Sequence, residues 1–396
     1  MKRSAERIVT THAGSLPRPS ELTDTILSRE NKTLTTDAAA QLPVQISAAV
    51  NGVVRSQLSC GLDVISDGEM SKIGYATYVK DRLSGFQEAD VPEGGGLSIA
   101  DLDDYPGMAE TSLAGLTTAT PTCTGPISYL GNDELHTDIA NFRTALDGRN
   151  QHDRHLAGEP FLTAASPGVI ALYLPNAHYP NDDDYLFALA EAMRTEYEAI
   201  VAAGFVLQID APDLATGRHI LYTHLPLPEF QKRAEVHVEA INHAVRNIDP
   251  EQVRVHLCYG NYQGPHHRDV ELRDIINIVL RLRPHGLVFE AANHRHAHEW
   301  KIFEQVHLPD EKLLVPGMID TSSNYVEHPD LIAERITRYA SLVGRERLLA
   351  GTDCGFASFA SFLAVSPQLA WAKLTSLVHG AQQASSQLWR AATIPA

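Results

Sequence analysis

The chain has 396 residues, 44% of them hydrophobic and 20% charged, with a formal net charge of −17. This is globular composition, and the acid excess excludes both the basic footprint of a nucleic-acid binder and electrostatic attachment to an anionic membrane. No apolar run reaches the length of about 18 residues that a membrane span needs. The opening Met1-Lys2-Arg3-Ser4-Ala5-Glu6-Arg7 has no apolar signal core, so a cytoplasmic protein is expected. From the start of the chain onward, short apolar runs alternate with amphipathic stretches of helical period. The runs lie at 8–11, 62–65, 160–165, 205–209, 254–258, 287–290, 313–319 and 348–352. Helical patterns follow at about 37–60, 184–203, 228–247, 270–282, 296–306, 329–343 and 367–389, the first of them ending at Gly61, a left-handed cap residue. Between about 87 and 150 the rhythm breaks into Gly, Asp, Thr and Pro, which predicts an insertion with its own hairpins after the second strand. Eight almost wholly apolar strands alternating with helices predict a single (β/α)8 TIM barrel over 1–396. A doubly wound open sheet is the runner-up, but no G-x-G-x-x-G follows the first strand.

In such a barrel the polar residues closing each strand share one mouth, where barrel active sites sit. Ser15, Asp67, Glu69, Asp210, Asp213, His256, Cys258, Glu290, Asp320, Asp353 and Cys354 all occupy strand-closing positions, whereas random surface polarity would scatter over both ends. His256 and Cys258 stand two apart on one strand, so their side chains point the same way. With Glu290 and Cys354 at the ends of later strands, they make a zinc-type donor set of one imidazole, two thiolates and one carboxylate. Two thiolates are too soft for magnesium or manganese. A zinc ion already holding two thiolates is a poor source of hydroxide and suits a third, substrate thiol held as a nucleophile. The remaining cysteines, Cys60 and Cys123, have no ligand-type neighbours in sequence and read as small buried apolar residues.

The stretch Thr10-Thr11-His12-Ala13-Gly14-Ser15-Leu16-Pro17-Arg18-Pro19, with Asp67-Gly68-Glu69, Gln208-Ile209-Asp210, His256-Leu257-Cys258, Glu290 and Asp353-Cys354-Gly355, resembles the catalytic barrel of the cobalamin-independent methionine synthase family, in the same order and over nearly the whole chain. The resemblance implies zinc-dependent methyl transfer to homocysteine, as in methionine biosynthesis. It implies zinc on His256, Cys258, Glu290 and Cys354. It also implies homocysteine held by Gly14, Ser15, Glu69 and Asp210, the two acids on the amino group and Ser15 at the carboxylate. Three departures point toward short, single-barrel relatives. Nothing corresponds to the N-terminal barrel of the full-length enzymes. Their catalytic histidine after the seventh strand is replaced by Asp320-Thr321-Ser322-Ser323-Asn324, which leaves Asp320 as the candidate acid. The loops at 260–267 and 291–296 also differ.

One such relative type, the epoxyalkane:coenzyme M transferase, adds a sulfonate thiol to an epoxide; a sulfonate needs cations, and Arg18 and Arg295 are candidate anchors by charge. A zinc-holding scaffold without turnover and a metal-free decarboxylase of the porphyrinogen type are the readings from other classes. The partners expected are a small thiol, homocysteine or coenzyme M, and an alkyl donor, with a homo-oligomer left open. His266, His267, His294, His296 and His298 read as solvated loop and helix residues, one of them acting as a general acid or binding an anionic substrate tail, rather than as a second metal site, and Tyr75 and Tyr78 as packing residues.

Overall fold

Strands this apolar have to be covered on both faces, and they pair side by side into one parallel sheet that curls until its edges meet. The structure is a computed structural model, and it describes residues 1–88, 99–105, 107–108, 121–148 and 158–390. The strands are β1 (Val9–Thr10), β2 (Val64–Ile65), β3 (Phe86–Gln87), β4 (Thr122–Cys123), β5 (Glu159–Ala165), β6 (Val206–Asp210), β7 (Val253–Leu257), β8 (Gly286–Phe289), β9 (Leu313–Ile319) and β10 (Leu349–Thr352). Eight of them form the sheet, in the order β1-β10-β9-β8-β7-β6-β5-β2, every pair parallel.

The remaining seam, between the two-residue strands β1 and β2, is closed largely by a side chain. Asp63 N donates to Thr10 O at 3.2 Å, while the Asp63 carboxylate accepts from Thr10 N at 2.8 Å and Thr10 Oγ1 at 3.0 Å and pairs with Arg7. The fold is thus the expected (β/α)8 TIM barrel.

Alternation along the strands sorts the apolar residues into two buried clusters. Leu162, Ala164, Leu207, Ile209, Val255, Leu257, Leu287 and Phe289 point outward into the large core shared with the helices. Val9, Val64, Phe161, Val206, Val288, Val315 and Leu349 point inward and fill the N-terminal end of the barrel. Arg254 shares this interior, with its guanidinium 3.9 Å from the Phe161 ring centre and hydrogen bonds of 3.0 Å to Thr11 Oγ1 and His12 O.

The expected helices form, an additional one appears at Ser20–Glu30, and three further differences stand out. Residues 296–306 shorten to a 3-10 turn at Glu299–Glu304. A helix at Pro167–Tyr173 escapes the periodicity because it is only two turns long, although Ser166 caps it through Val169 N and Pro167 opens it. Around 86–150, β3 and β4 pair antiparallel but are far apart in sequence and do not form a hairpin, and Asn132–Asp147 is a helix packed on Thr36–Cys60 and Asp182–Ala202, so this part belongs to the barrel's outer layer. The rest of that expected insertion lies largely outside the described residues. No helix among the described residues is long and apolar enough to cross a membrane.

Candidate metal and thiol site

Two inward positions of β7, continued one residue past its end, bring His256 and Cys258 to the mouth, and the segment after β10 brings Cys354 across from them. The three ligand atoms lie within 4.8 Å of one another and all three residues are buried. The sulfurs are 3.4 Å apart, close to the edge of about 3.8 Å expected for two thiolates on tetrahedral zinc. His256 is oriented by Asp210, whose Oδ1 lies 3.1 Å from Nδ1. An Nδ1–H given to Asp210 leaves Nε2, which lies 3.4 Å from Asp353 O, as the nitrogen a metal would take, the arrangement that fixes a metal-binding imidazole. Gly260 N donates to Cys258 Sγ at 3.2 Å, as to a thiolate ligand.

The electrostatics describe a donor set that wants a cation. Cys354 is drawn down to about 5 by the hydrogen bond from Cys258, against burial and with help from His256. Cys258 is pushed well up by that same bond and by burial. His256 rises to about 10: burial opposes its charge, but the Asp210 and Cys354 bonds outweigh it. The protons held on His256 and Cys258 are those that a divalent ion displaces. The residues therefore fit a soft metal ion.

Glu290 stands one step back from this group. Its Oε1 accepts from Tyr259 N at 2.6 Å and its Oε2 from Asn293 Nδ2 at 2.7 Å. Burial first, then the charges of Asp353 and Cys354, raise its carboxyl to about 8. Asp353 fixes the backbone beyond Glu290, with Oδ1 accepting from Ala291 N and Ala292 N and Oδ2 from Asn293 N.

A cavity open to solvent runs from the cluster to a second polar group, and Ser15, Glu69, Asp210, His256, Cys258 and Cys354 all line it. Glu69 adopts φ +59, a left-handed conformation uncommon for a side-chain-bearing residue. The strain is held by Asp67 Oδ1 accepting from Glu69 N at 3.0 Å and by Arg18 Nη2 donating to Glu69 O at 2.7 Å. Glu69 Oε1 accepts from Thr163 Oγ1 at 2.9 Å, while Oε2 is buried without a hydrogen-bond partner among the described residues. Gly14 has φ +129, and a Cβ there would sit 2.6 Å from Thr163 Cγ2 and 2.7 Å from Glu69 Oε1, so only glycine lets this loop reach the carboxylate.

Other sequence candidates are placed elsewhere. Asp320 is not among the cavity-lining residues; its Oδ1 accepts from Ser322 N and Oγ, both at 2.8 Å, which ties it into its own turn. Arg18 spends its guanidinium on Glu69 O and Ala357 O, so it anchors backbone rather than a substrate anion. His294 and His298 are exposed as expected, but His266 and His296 pack onto Asp269 Oδ2, each at 3.0 Å, His266 half-buried and His296 buried. The excursion reaches the site: Ile99 lines the cavity, and Asp101 accepts the Tyr262 hydroxyl at 2.8 and 2.7 Å. Sequence reasoning missed Thr163 and Tyr173. Thr163 could have been found as the inward position two residues beyond Phe161; Tyr173 sits on the overlooked two-turn helix.

Residues 177–380 match the family model described as the catalytic domain of the cobalamin-independent synthase. Over 386 residues the chain is 24% identical to a methionine synthase of Saccharolobus solfataricus, covering 96% of each protein. It is 26% identical to one of Sulfolobus acidocaldarius over 350 residues, 87% of this chain and 85% of that one. The fold matches a B12-independent methionine synthase from a Shewanella species, solved with selenomethionine, at a TM-score of 0.72 and 18% identity, covering 97% of this chain and 99% of that one. The chain belongs to the cobalamin-independent synthase catalytic-domain family.

Proposed function

We propose that the protein transfers a methyl group to the thiol of homocysteine, giving methionine, at a zinc site made of His256, Cys258 and Cys354 with Glu290 as the fourth ligand. One observation carries the reading: a buried His/Cys/Cys group within 4.8 Å shares a cavity with the unpartnered Glu69 Oε2. A thiol ligand and an ammonium ligand on one small molecule match these two ends, and the names of the relatives agree with that substrate.

The chain's own groups divide the work. Bound zinc supplies a positive charge that keeps a joining thiol deprotonated at neutral pH. Asp210 holds the His256 ring in place and, with Glu69, presents negative charge to the ammonium group. Gln208 Nε2 steadies Asp210 Oδ1 at 2.8 Å and ties it to Ala13 O at 2.6 Å, so the acid cannot swing away when the substrate leaves. Ser15, fixed by Ala357 N at 3.3 Å, stands beside these acids to meet the carboxylate. Fixing both ends of the substrate aligns sulfur with the methyl carbon, and such alignment is worth several kcal/mol of barrier.

The test is elemental analysis of the wild type and Cys354→Ser, followed by titration of the wild type with homocysteine and with coenzyme M. About one zinc per chain, lost in the variant, with protons released by homocysteine alone, is the expected result. Release with coenzyme M alone would transfer the site to a sulfonate thiol. Zinc without a thiol response would make the protein a metal scaffold, and a wild type without zinc would end the reading.

A further inference from the structure

Tyr75, in the loop after β2, and Tyr173, at the end of the Pro167–Tyr173 helix, line the same cavity as Cys258 and Cys354. Their hydroxyls lie 3.2 Å apart, and each is the other's only hydrogen-bond partner among the described residues. A pair of hydroxyls uses one of its two protons internally, so one O–H is left over. The rings are locked edge-to-face, with centroids 6.0 Å apart, and Phe359 packs on both at 5.5 and 5.9 Å. The spare O–H is therefore carried by a rigid aromatic wall of the cavity that the thiol cluster also lines.

The other hydroxyl and amide donors of the cavity are committed or weaker. Tyr262 gives its proton to Asp101, Thr216 to Cys258 O, and Asn261 Nδ2 to Gly355 O. Ser15 and Ser358 are aliphatic alcohols, much poorer acids than a phenol with its ordinary pKa near 10. Asp320, the sequence's candidate acid, is turned into its own loop.

We infer that the Tyr75–Tyr173 pair donates the proton to the leaving nitrogen when the methyl donor is an N-methyl amine, whose nitrogen would otherwise depart as an anion. The inference rests on the thiol-methylation reading above. In the step, the homocysteine thiolate forms the S–C bond and the C–N bond breaks with its electron pair on nitrogen. The phenol proton moves to that nitrogen, and the phenolate regains a proton from solvent, which has taken up the proton of the thiol. The sum is thiol plus N-methyl amine giving methyl thioether plus secondary amine. Burial, followed by the partner phenol and the charges of the two cysteines, raises Tyr75 well above the ordinary phenol range, and Tyr173 rises to about 12. The pair thus stays protonated at neutral pH, and a departing nitrogen anion is still basic enough to take its proton.

Either single Phe variant leaves one phenol with a free proton, so the double variant Tyr75→Phe with Tyr173→Phe is decisive. Homocysteine methylation is measured with 5-methyltetrahydropteroylglutamate, an N-methyl amine, and with trimethylsulfonium, which leaves as a neutral sulfide and needs no proton. The double variant is expected to lose about 10²-fold or more in kcat with the amine donor. Its zinc content, its KM for homocysteine and its rate with the sulfonium stay at wild-type values. A single variant that matches the double identifies the phenol that delivers the proton. Unchanged kcat with the amine, or equal loss with both donors, overturns the inference. A wild type that accepts only the sulfonium overturns it too while leaving thiol methylation standing, whereas a wild type that methylates homocysteine from neither donor removes the underlying reading.

Discussion

At the N-terminal ends of the barrel strands the inward positions are Val9, Val64, Phe161, Val206, Arg254, Val288, Val315 and Leu349. Two residues further along the same strands they are Thr11, Ser66, Thr163, Gln208, His256, Glu290, Gly317 and Gly351. The pleat and the strands are the same in both layers, so the contrast is one of side-chain choice alone. Each large apolar side chain in the lower layer contributes about 1.5–3 kcal/mol by leaving water. The upper layer works against stability, because burial pushes the carboxyls of Glu290 and of Glu69, at the same mouth, up to about 8 and 7. The lower layer closes the barrel, and the upper one is left free to hold groups that are chemically useful and energetically costly.

The largest effect that would break this contrast comes from below. Phe161 is fully buried, stacks under Arg254 and meets the His12 ring edge at 5.2 Å. Phe161→Ala should cost about 3–5 kcal/mol in a denaturant melt while the folded fraction keeps its metal. A loss below about 1 kcal/mol would mean that the lower layer is not what holds the barrel closed. From above, Asp210→Asn keeps the volume and an acceptor for His256 but removes the charge. It should weaken zinc binding about 10–100-fold in competition with a chelator and leave the melting midpoint near that of the wild type. If the midpoint fell as far as in Phe161→Ala, the two layers would not be separable.

The same contrast explains which parts of the molecule the sequence made legible. The lower layer and the outward faces are written in apolar runs, so all eight strands and their order could be read from period and breaks. His256 and Cys258 were legible because a two-residue spacing on a strand fixes their direction, and Cys354 because it follows an apolar run. Asp320 met the same criterion, yet it is turned aside by Ser322, a local turn bond that strand position does not encode. Tyr173 was invisible because two helical turns give too little periodicity. The pairing of Tyr75 with Tyr173 joins a loop to a helix end 98 residues away, which no pattern within one element reports. Arg18 looked like an anion anchor by charge, but buried carbonyls of Glu69 and Ala357 claim it.

The finest test of the upper layer is its response to pH at Glu69. Burial is the main cause of its rise from 4.5 to about 7, with the Asp210 charge adding and Lys72 opposing. Below about 7 the side chain is neutral and cannot pair with an ammonium group, so KM for homocysteine should climb by up to about tenfold per pH unit as pH falls. Stability runs the other way. A carboxyl whose folded pKa exceeds its unfolded one binds more protons in the folded state between about 4.5 and 7, so raising the pH through that window costs stability. Glu69→Gln should flatten both slopes at once and fix KM at a high, pH-independent value. If KM in this variant still rose on acidification while the melting profile flattened, Glu69 would be a buried acid of the upper layer with no hold on the substrate amine, and Asp210 alone would carry that charge.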